Sequence, residues 1–228
     1  MNRLKNNFIL QDISKVALFL GLLPTLIINI NYLIAATEGH VPWCVPYWDS
    51  CTSISATGRE GTAFVFFKLT MIPVAFVYLW YWKLANNRLA AAGYSSKVIL
   101  NLGIIACIAL ISYTLALGAI GESFRLTRSL GIILYFSLTY LNQLLILYQL
   151  YKRKIQDPSR QLQLVLCLLI LCIGILTLFL DALLANYDDY EDAFEWNLAL
   201  LLHLNFLCAW WGWRELTHPR VIRKKVAS

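Results

Sequence analysis

The 228-residue chain is 59% hydrophobic and 14% charged, with a formal net charge of +6. This composition leaves too little polar surface to cover a water-soluble globule of this size, so it excludes a soluble domain and indicates a protein embedded in lipid. The basic residues cluster beside apolar segments, so we interpret the positive charge as a membrane-topology signal and expect no nucleic-acid partner.

Six apolar segments are long enough to cross a bilayer as helices, which takes about 20 residues each. They cover residues 16–36, 62–82, 98–120, 130–151, 162–185 and 194–213. The first is too long for a cleaved signal peptide, and the connections are too short to hold a soluble domain. The predicted fold is therefore all-α, an integral membrane bundle of six transmembrane helices that forms a single domain over residues 1–228.

The distribution of Lys and Arg predicts how this bundle is oriented. All but four of the 19 fall in the two terminal segments and in the connections after the second and fourth spans. Such segments stay in the cytoplasm, so both termini are predicted to be cytoplasmic and the other connections external. The expected location is an endomembrane of the Golgi or endoplasmic reticulum type in a eukaryote, or the inner membrane in a bacterium.

The first external connection, residues 37–61, is the longest and the least typical of a flexible linker. It contains two prolines, three large aromatic residues and the cysteines Cys44 and Cys51. Apolar content of this kind predicts a compact outer cap on the bundle. On the external side the two cysteines are able to form a disulfide, with free thiols as the alternative.

Seven charged residues are predicted to lie at the external end, including the four basic residues outside the cytoplasmic segments. They are Arg59, Lys68, Glu122, Arg125, Arg128, Asp181 and Glu195. Ionisable groups within or beside spans are costly and are expected to face protein or water, so the seven are candidates for one outward-opening site. Lys68 either extends its ammonium group to the lipid headgroups or pairs with Asp181 or Glu195. Arg125 and Arg128 contact bulk lipid, form structural ion pairs, or bind a specific headgroup.

The final span carries a stripe of residues predicted to face the bundle interior. Glu195, Ala199, His203, Phe206 and Trp210 fall on one side of a helix with 3.6 residues per turn. Glu195 and His203 are separated by about 12 Å along the helix axis, which is too far for a catalytic pair. We therefore expect His203 to be a buried hydrogen-bonding residue.

Candidate groups for covalent catalysis or metal binding are few. The three histidines are scattered over the outer loop, the last span and the basic tail, so no metal site and no cofactor are predicted. His40 as a base with Ser53 or Ser55 as the nucleophile is the assembly that the outer connection offers for acyl transfer or ester hydrolysis. No Gly-x-Ser-x-Gly motif surrounds these serines.

Three patches resemble the six-span family that includes the damage-regulated autophagy modulators and the Golgi GPI-anchor lipid-remodelling factor. The patches are Cys44 and Pro46 with residues 52–58 (TSISATG), Glu122 after the third span, and residues 195–196 with 209–211 in the last span. His203 and Asn205 stand at offsets that differ from the polar pair of the remodelling factor, so no role is transferred to them. The resemblance implies activity in the remodelling or organisation of membrane lipids.

The functional prediction is that the outer rim binds a phospholipid or glycolipid headgroup, with membrane lipids as partners. In this hypothesis the four cations offset headgroup phosphate, the three acidic residues orient the cations, and an apolar seam between spans accepts acyl chains. The alternatives are a lipid acyltransferase or hydrolase at the same rim, a proton-coupled or small-solute transporter that uses Lys68, Asp181 and Glu195, and a scaffold for another membrane protein.

Overall fold

The structure is a computed structural model that describes residues 2–91, 93, 97–152, 157–184 and 186–216, without the side chains of residues 2–11 and 188. Residues 217–228, predicted as a cytoplasmic tail, lie outside this range, as does residue 185 at the predicted end of the fifth span. The described residues form eight α-helices and no strand. The helices are α1 Asn2–Thr37, α2 Pro46–Asp49, α3 Ile54–Thr57, α4 Gly61–Ala91, α5 Val98–Ala116, α6 Glu122–Lys152, α7 Pro158–Leu183 and α8 Asp188–Glu215.

Six of these helices are long, and each contains or overlaps one of the six predicted spans. The predicted bounds need correction at several ends. The predicted third span was too long, because α5 ends at Ala116 where Leu117 takes an extended backbone and Gly118 a left-handed one (φ 75°). The polar segment expected as a loop from residue 83 is helical as far as Ala91, because a helix continues past the bilayer edge where its residues have adequate helix propensity.

Five of the long helices are long and apolar enough to cross a membrane, namely α1 from Asp12, α4, α5, α6 and α7. This agrees with the prediction of an all-α membrane protein. Helix α8 does not reach that level of hydropathy, although it is one of the most buried helices. Its stripe faces the interior as predicted, since Ala199, His203 and Phe206 are all buried.

The six long helices pack as a ring in the order α1, α4, α5, α6, α7 and α8, and α8 closes the ring against α1. A glycine allows one of these interfaces to be close. A Cβ atom on Gly131 of α6 would lie 2.9 Å from Tyr113 Cβ and 3.0 Å from the Ala109 carbonyl oxygen of α5. Such close backbone approach is typical of helix packing in membranes. The α6–α7 interface is the smallest between neighbours in the ring.

Residues 38–60, which we call the first connection, fold against the N-terminal end of α8. Cys44 and Cys51 form a disulfide, as predicted. The Trp196 Nε1–H group donates to the Thr52 carbonyl oxygen at 2.8 Å, and the Asn197 side chain donates to the Tyr47 carbonyl oxygen at 2.8 Å. The first connection is therefore an ordered part of the bundle, and we refer to the end that carries it as the first-connection end.

A polar contact joins α7 to α8 near the opposite end. The Gln163 side chain donates to Asn205 Oδ1 at 3.3 Å, and the Asn205 side chain donates to the Gln163 carbonyl oxygen at 3.3 Å. All the buried residues of α7 lie in its first ten positions, between Ser159 and Cys167. The remaining part of α7, toward the first-connection end, has no buried residue among those described.

Candidate functional site

Two of the predicted cations converge on the C-terminal end of α5. The Lys68 ammonium group donates to the Leu115 carbonyl oxygen at 3.1 Å. Arg128 Nη1 donates to the carbonyl oxygens of Ala116 at 3.1 Å and Ala119 at 2.9 Å. The last carbonyls of a helix have no partner within the helix and carry partial negative charge, so both cations stabilise this end of α5.

Lys68 has further contacts but no acidic partner. Its ammonium group lies 3.9 Å from the centre of the Phe64 ring, a cation–π contact. Among the described residues, no carboxylate lies within ion-pair distance of Lys68, so the pairing with Asp181 or Glu195 that the sequence suggested is not observed. The transporter hypothesis, which uses these three residues, stays a prediction.

Arg125 and Glu122 form the ion pair expected from their spacing. Arg125 Nη2 lies 2.9 Å from Glu122 Oε1, and both side chains are mostly exposed, at 69% and 77%. Both lie in the first turn of α6, which begins eight residues before the predicted fourth span. An exposed pair of this kind adds little stability and leaves the guanidinium group accessible to a ligand.

Arg59 brings the first connection to the same place. Its guanidinium group donates to Ser55 Oγ at 2.8 Å, and its side chain is exposed. The Arg59 carbonyl oxygen is 2.8 Å from the position of a Cβ atom on Gly118, in the α5–α6 connection. The structure thus places two cations on carbonyl groups of residues 115–119, a third in the adjoining first turn of α6, and the backbone of a fourth beside Gly118; we call these four the cation rim. They are Arg59, Lys68, Arg125 and Arg128.

The three acidic residues predicted for the site are placed differently from one another. Glu122 pairs with Arg125, as described above. Glu195 is half-buried and its Oε2 accepts the Ile54 backbone N–H at 3.2 Å, which ties α3 to α8. Asp181 is exposed near the end of α7, where its charge acts on Tyr187. Of the three acids, Glu122 is therefore the one that forms an ion pair with a rim cation.

A further carboxylate that the sequence reasoning missed lies near the rim. Burial and the neighbouring Glu191 raise the pKa of Asp192 above its ordinary value, and the positive charge of Arg59 partly opposes this. Asp192 precedes Glu195 by about one helical turn, so the acidic run at the start of α8 was the available signal in the sequence.

The residues proposed for nucleophilic catalysis have other partners. His40 lies between two carboxylates, with Nε2 3.5 Å from Glu38 Oε2 and Nδ1 3.3 Å from Glu60 Oε2. Ser53 Oγ accepts the Ala56 backbone N–H at 3.0 Å as the N-cap of α3. Ser53 Oγ and Ser55 Oγ are 3.1 Å apart. No described hydrogen bond joins His40 to either serine, and acyl transfer by this set stays a prediction.

A small internal cavity lies in the first-connection half of the ring, below the cation rim. Its volume is about 30 Å³. Apart from Ile54 of α3, its lining comes from five long helices. The lining residues are Ile28, Ile54, Phe67, Met71, Leu110, Tyr113, Ile132, Tyr135, Phe136, Ala199 and His203. His203 is 4% exposed and its Nδ1 lies 3.0 Å from Thr25 Oγ1, which confirms the prediction of a buried hydrogen-bonding histidine.

Tyr113 links the cavity to the rim, and the sequence reasoning did not single it out. Its hydroxyl group is buried and has no hydrogen-bond partner among the described residues. Tyr113 lines the cavity and precedes Ala116, whose carbonyl oxygen accepts a hydrogen bond from Arg128, by about one helical turn, so it lies between the rim and the cavity. A tyrosine inside an otherwise apolar span was the signal that could have identified it.

Within the described residues, no group of three or more His, Cys, Asp and Glu side chains is arranged to hold a metal ion. Comparison of the chain with models of protein families, with curated proteins and with solved structures gave no match.

Proposed function

We propose that this protein is a multi-pass membrane protein that binds a phosphate-bearing lipid headgroup at the cation rim and takes part in the remodelling or organisation of membrane lipids. The observation that carries the proposal is that Lys68 and Arg128 both bind carbonyl groups at the end of α5 and in the α5–α6 connection, with Arg125 in the next helical turn. The proposal includes the orientation inferred from charge, in which both termini are cytoplasmic and the rim faces the external or luminal side.

The electrostatics of the rim favour an anionic ligand. Among the described residues, neither Lys68 nor Arg128 has a carboxylate within ion-pair distance. The contacts of Arg128 with carbonyl oxygens use one of its nitrogens, whereas a guanidinium group has five N–H donors in a planar arrangement that matches phosphate. A phosphate group at the rim would supply the negative charge that the protein provides in part through Glu122.

Apolar residues beside the rim favour a lipid over a soluble phosphate compound. Ile120, in the connection between α5 and α6, is 96% exposed. Phe124, Leu126 and Leu130 at the start of α6 are between 46% and 58% exposed. Cations next to exposed apolar side chains are typical of the boundary between headgroups and hydrocarbon. A ligand that binds both the cations and the apolar side chains has a phosphate and an acyl chain.

The role in remodelling rests on the resemblance of the outer connection, Glu122 and the last span to the six-span lipid-remodelling family. In the proposed function the protein presents or senses the bound lipid, and the chemistry of remodelling is assigned to no residue of this chain. Lipid binding at the rim therefore does not depend on acyl transfer by His40 with Ser53 or Ser55.

The test is to purify the protein in mild detergent and identify the retained lipids by mass spectrometry. The Arg125→Ala and Arg128→Ala double variant is expected to lose a lipid class that the wild type enriches over the bulk membrane. The matched control is Lys83→Ala with Lys97→Ala, which removes the same charge from exposed positions at the opposite end. Thermal unfolding of both variants shows whether loss of the Arg128 contacts alters the fold. An unchanged lipid profile in a folded double variant would refute the headgroup assignment.

A further inference from the structure

Most of the side chains that line the cavity are buried. Among the eleven lining residues, nine are buried and two, Ile132 and Phe136 of α6, are half-buried. These two side chains are the lining residues that reach the outside of the bundle, and we call them the cavity wall. A volume of about 30 Å³ admits a water molecule but not a hydrocarbon chain, so a larger ligand enters if this wall moves.

The ring of helices is loosest next to this wall. Tyr140 donates to the Cys167 carbonyl oxygen at 3.2 Å and marks where α6 meets α7. Phe136 lies about one helical turn from Tyr140 on the same side of α6, toward the first-connection end. In that direction α7 has no buried residue from Leu168 to Leu183. The part of α7 that would cover Phe136 is thus held weakly.

The cavity also lies in line with the cation rim. Arg128 precedes Phe136 by eight residues, about 12 Å along α6, which is well within the length of one acyl chain. Tyr113 lies between the cation rim and the cavity, and its unpartnered hydroxyl group can donate a hydrogen bond to an ester carbonyl. The deeper lining is apolar, with Phe67, Met71 and Leu110. Phosphate, ester and chain thus each meet a matching surface in that order.

We propose that one acyl chain of the bound lipid enters this cavity sideways between α6 and α7, and that Phe136 and Ile132 are the movable wall. This inference rests on the proposed function, because the headgroup at the cation rim fixes where the chain begins. The occupant is the acyl chain of a membrane phospholipid. The wall lies beside the exposed apolar part of α7, which is suited to contact with the bilayer, and the charges at the rim complement a phosphate.

The experiment uses two photoactivatable forms of phosphatidylethanolamine in vesicles that contain the full chain. One carries a diazirine midway along an acyl chain and the other carries it on the headgroup, and labelled peptides are mapped by mass spectrometry. The chain probe is expected to label Phe136 and the buried Met71 in addition to outward-facing residues such as Leu178. The headgroup probe is expected to label the cation rim.

Variants separate a cavity effect from general disruption. Ala199→Val fills the cavity from α8 and is expected to lower labelling of Met71 by about tenfold while headgroup labelling is unchanged. Gly174→Ala adds the same kind of bulk where no atom lies within 4 Å and is expected to change neither. One outcome would overturn the side-entry proposal and leave the proposed function standing: the headgroup probe labels the rim, but the chain probe labels only Leu178 and other outward positions. Absence of rim labelling would overturn both.

Discussion

Replacement of Trp196 tests whether the first connection is held in place by α8. The Trp196 side chain is fully buried, at 0% exposure, and its ring packs edge-on against Tyr32 and Tyr47 with ring centres 6.1 Å and 5.1 Å apart. Its indole N–H donates to the Thr52 carbonyl oxygen at 2.8 Å. The structure thus assigns to this residue both a packing contribution and a hydrogen bond to the first connection.

The magnitudes of the two contributions are separable. Trp196→Ala removes the ring and the hydrogen bond and is expected to lower the free energy of unfolding by about 3–5 kcal/mol. Trp196→Phe keeps an aromatic ring and loses the hydrogen bond, so the expected loss is about 1–2 kcal/mol. Trp48, in the same connection, is 87% exposed, and Trp48→Ala is expected to change stability by less than about 0.5 kcal/mol.

The assay is equilibrium unfolding in detergent, combined with the rate at which a thiol reagent reduces the Cys44–Cys51 disulfide. Loosening of the first connection is expected to accelerate reduction in the order wild type, Trp196→Phe, Trp196→Ala, with Trp48→Ala equal to wild type. Equal stability of Trp196→Ala and Trp48→Ala would refute the reasoning. So would a normal reduction rate in a Trp196→Ala protein that is otherwise destabilised, because the anchor would then not act on the connection.

Three further changes test other parts of the structure. Gly131→Ala is expected to destabilise the α5–α6 interface by about 1–3 kcal/mol, whereas Gly174→Ala, with no neighbours within 4 Å, is expected to stabilise its helix slightly in the same unfolding assay. Hydrogen bonds from Thr62 lower the pKa of Glu38, so this contact stabilises the fold above about pH 4.3 and the stabilisation is lost as the pH falls through the folded pKa. Glu38→Gln should therefore reduce the dependence of stability on pH in the acid range. An unchanged dependence of stability on pH would contradict this reasoning. Asn205→Leu is expected to cost about 0.6–2 kcal/mol by removing the hydrogen bonds between α7 and α8, and unaltered stability would show that they contribute nothing.

The helices of this protein are predictable from its sequence because apolar runs of the required length are separated by polar connections. Their ends are less predictable, since a helix end depends on backbone conformation. Gly118 is a stop signal within residues 98–120 that a count of apolar residues passes over; it takes a positive φ directly after Leu117 leaves the helix. The polar residues after position 83 likewise form helix to Ala91, because polarity marks the bilayer boundary and not the end of a helix.

The location of the candidate site follows from topology, whereas its internal contacts do not. The charge pattern predicts that the four cations share one end of the bundle. It leaves Lys68 either extended to the lipid headgroups or paired with an acidic residue, but the acceptor in the structure is the backbone carbonyl of Leu115, which side-chain patterns do not reveal. The cavity beside Tyr113 depends on how five helices and α3 meet, and no single segment of sequence carries that information.

The weak hydropathy of α8 has a consequence for how the protein is made. This last helix is less apolar than the other five, and its interior polar groups find partners on helices that are synthesised earlier, as with His203 and Thr25 of α1. A segment of marginal hydropathy enters a bilayer more readily when such partners are already there. We therefore expect insertion to be ordered, with α1 and α7 acting as a template that receives α8 after they have entered the bilayer. A ribosome-bound chain whose α1 lacks Thr25 should then insert α8 less efficiently, although the apolar sequence of α8 itself is unchanged.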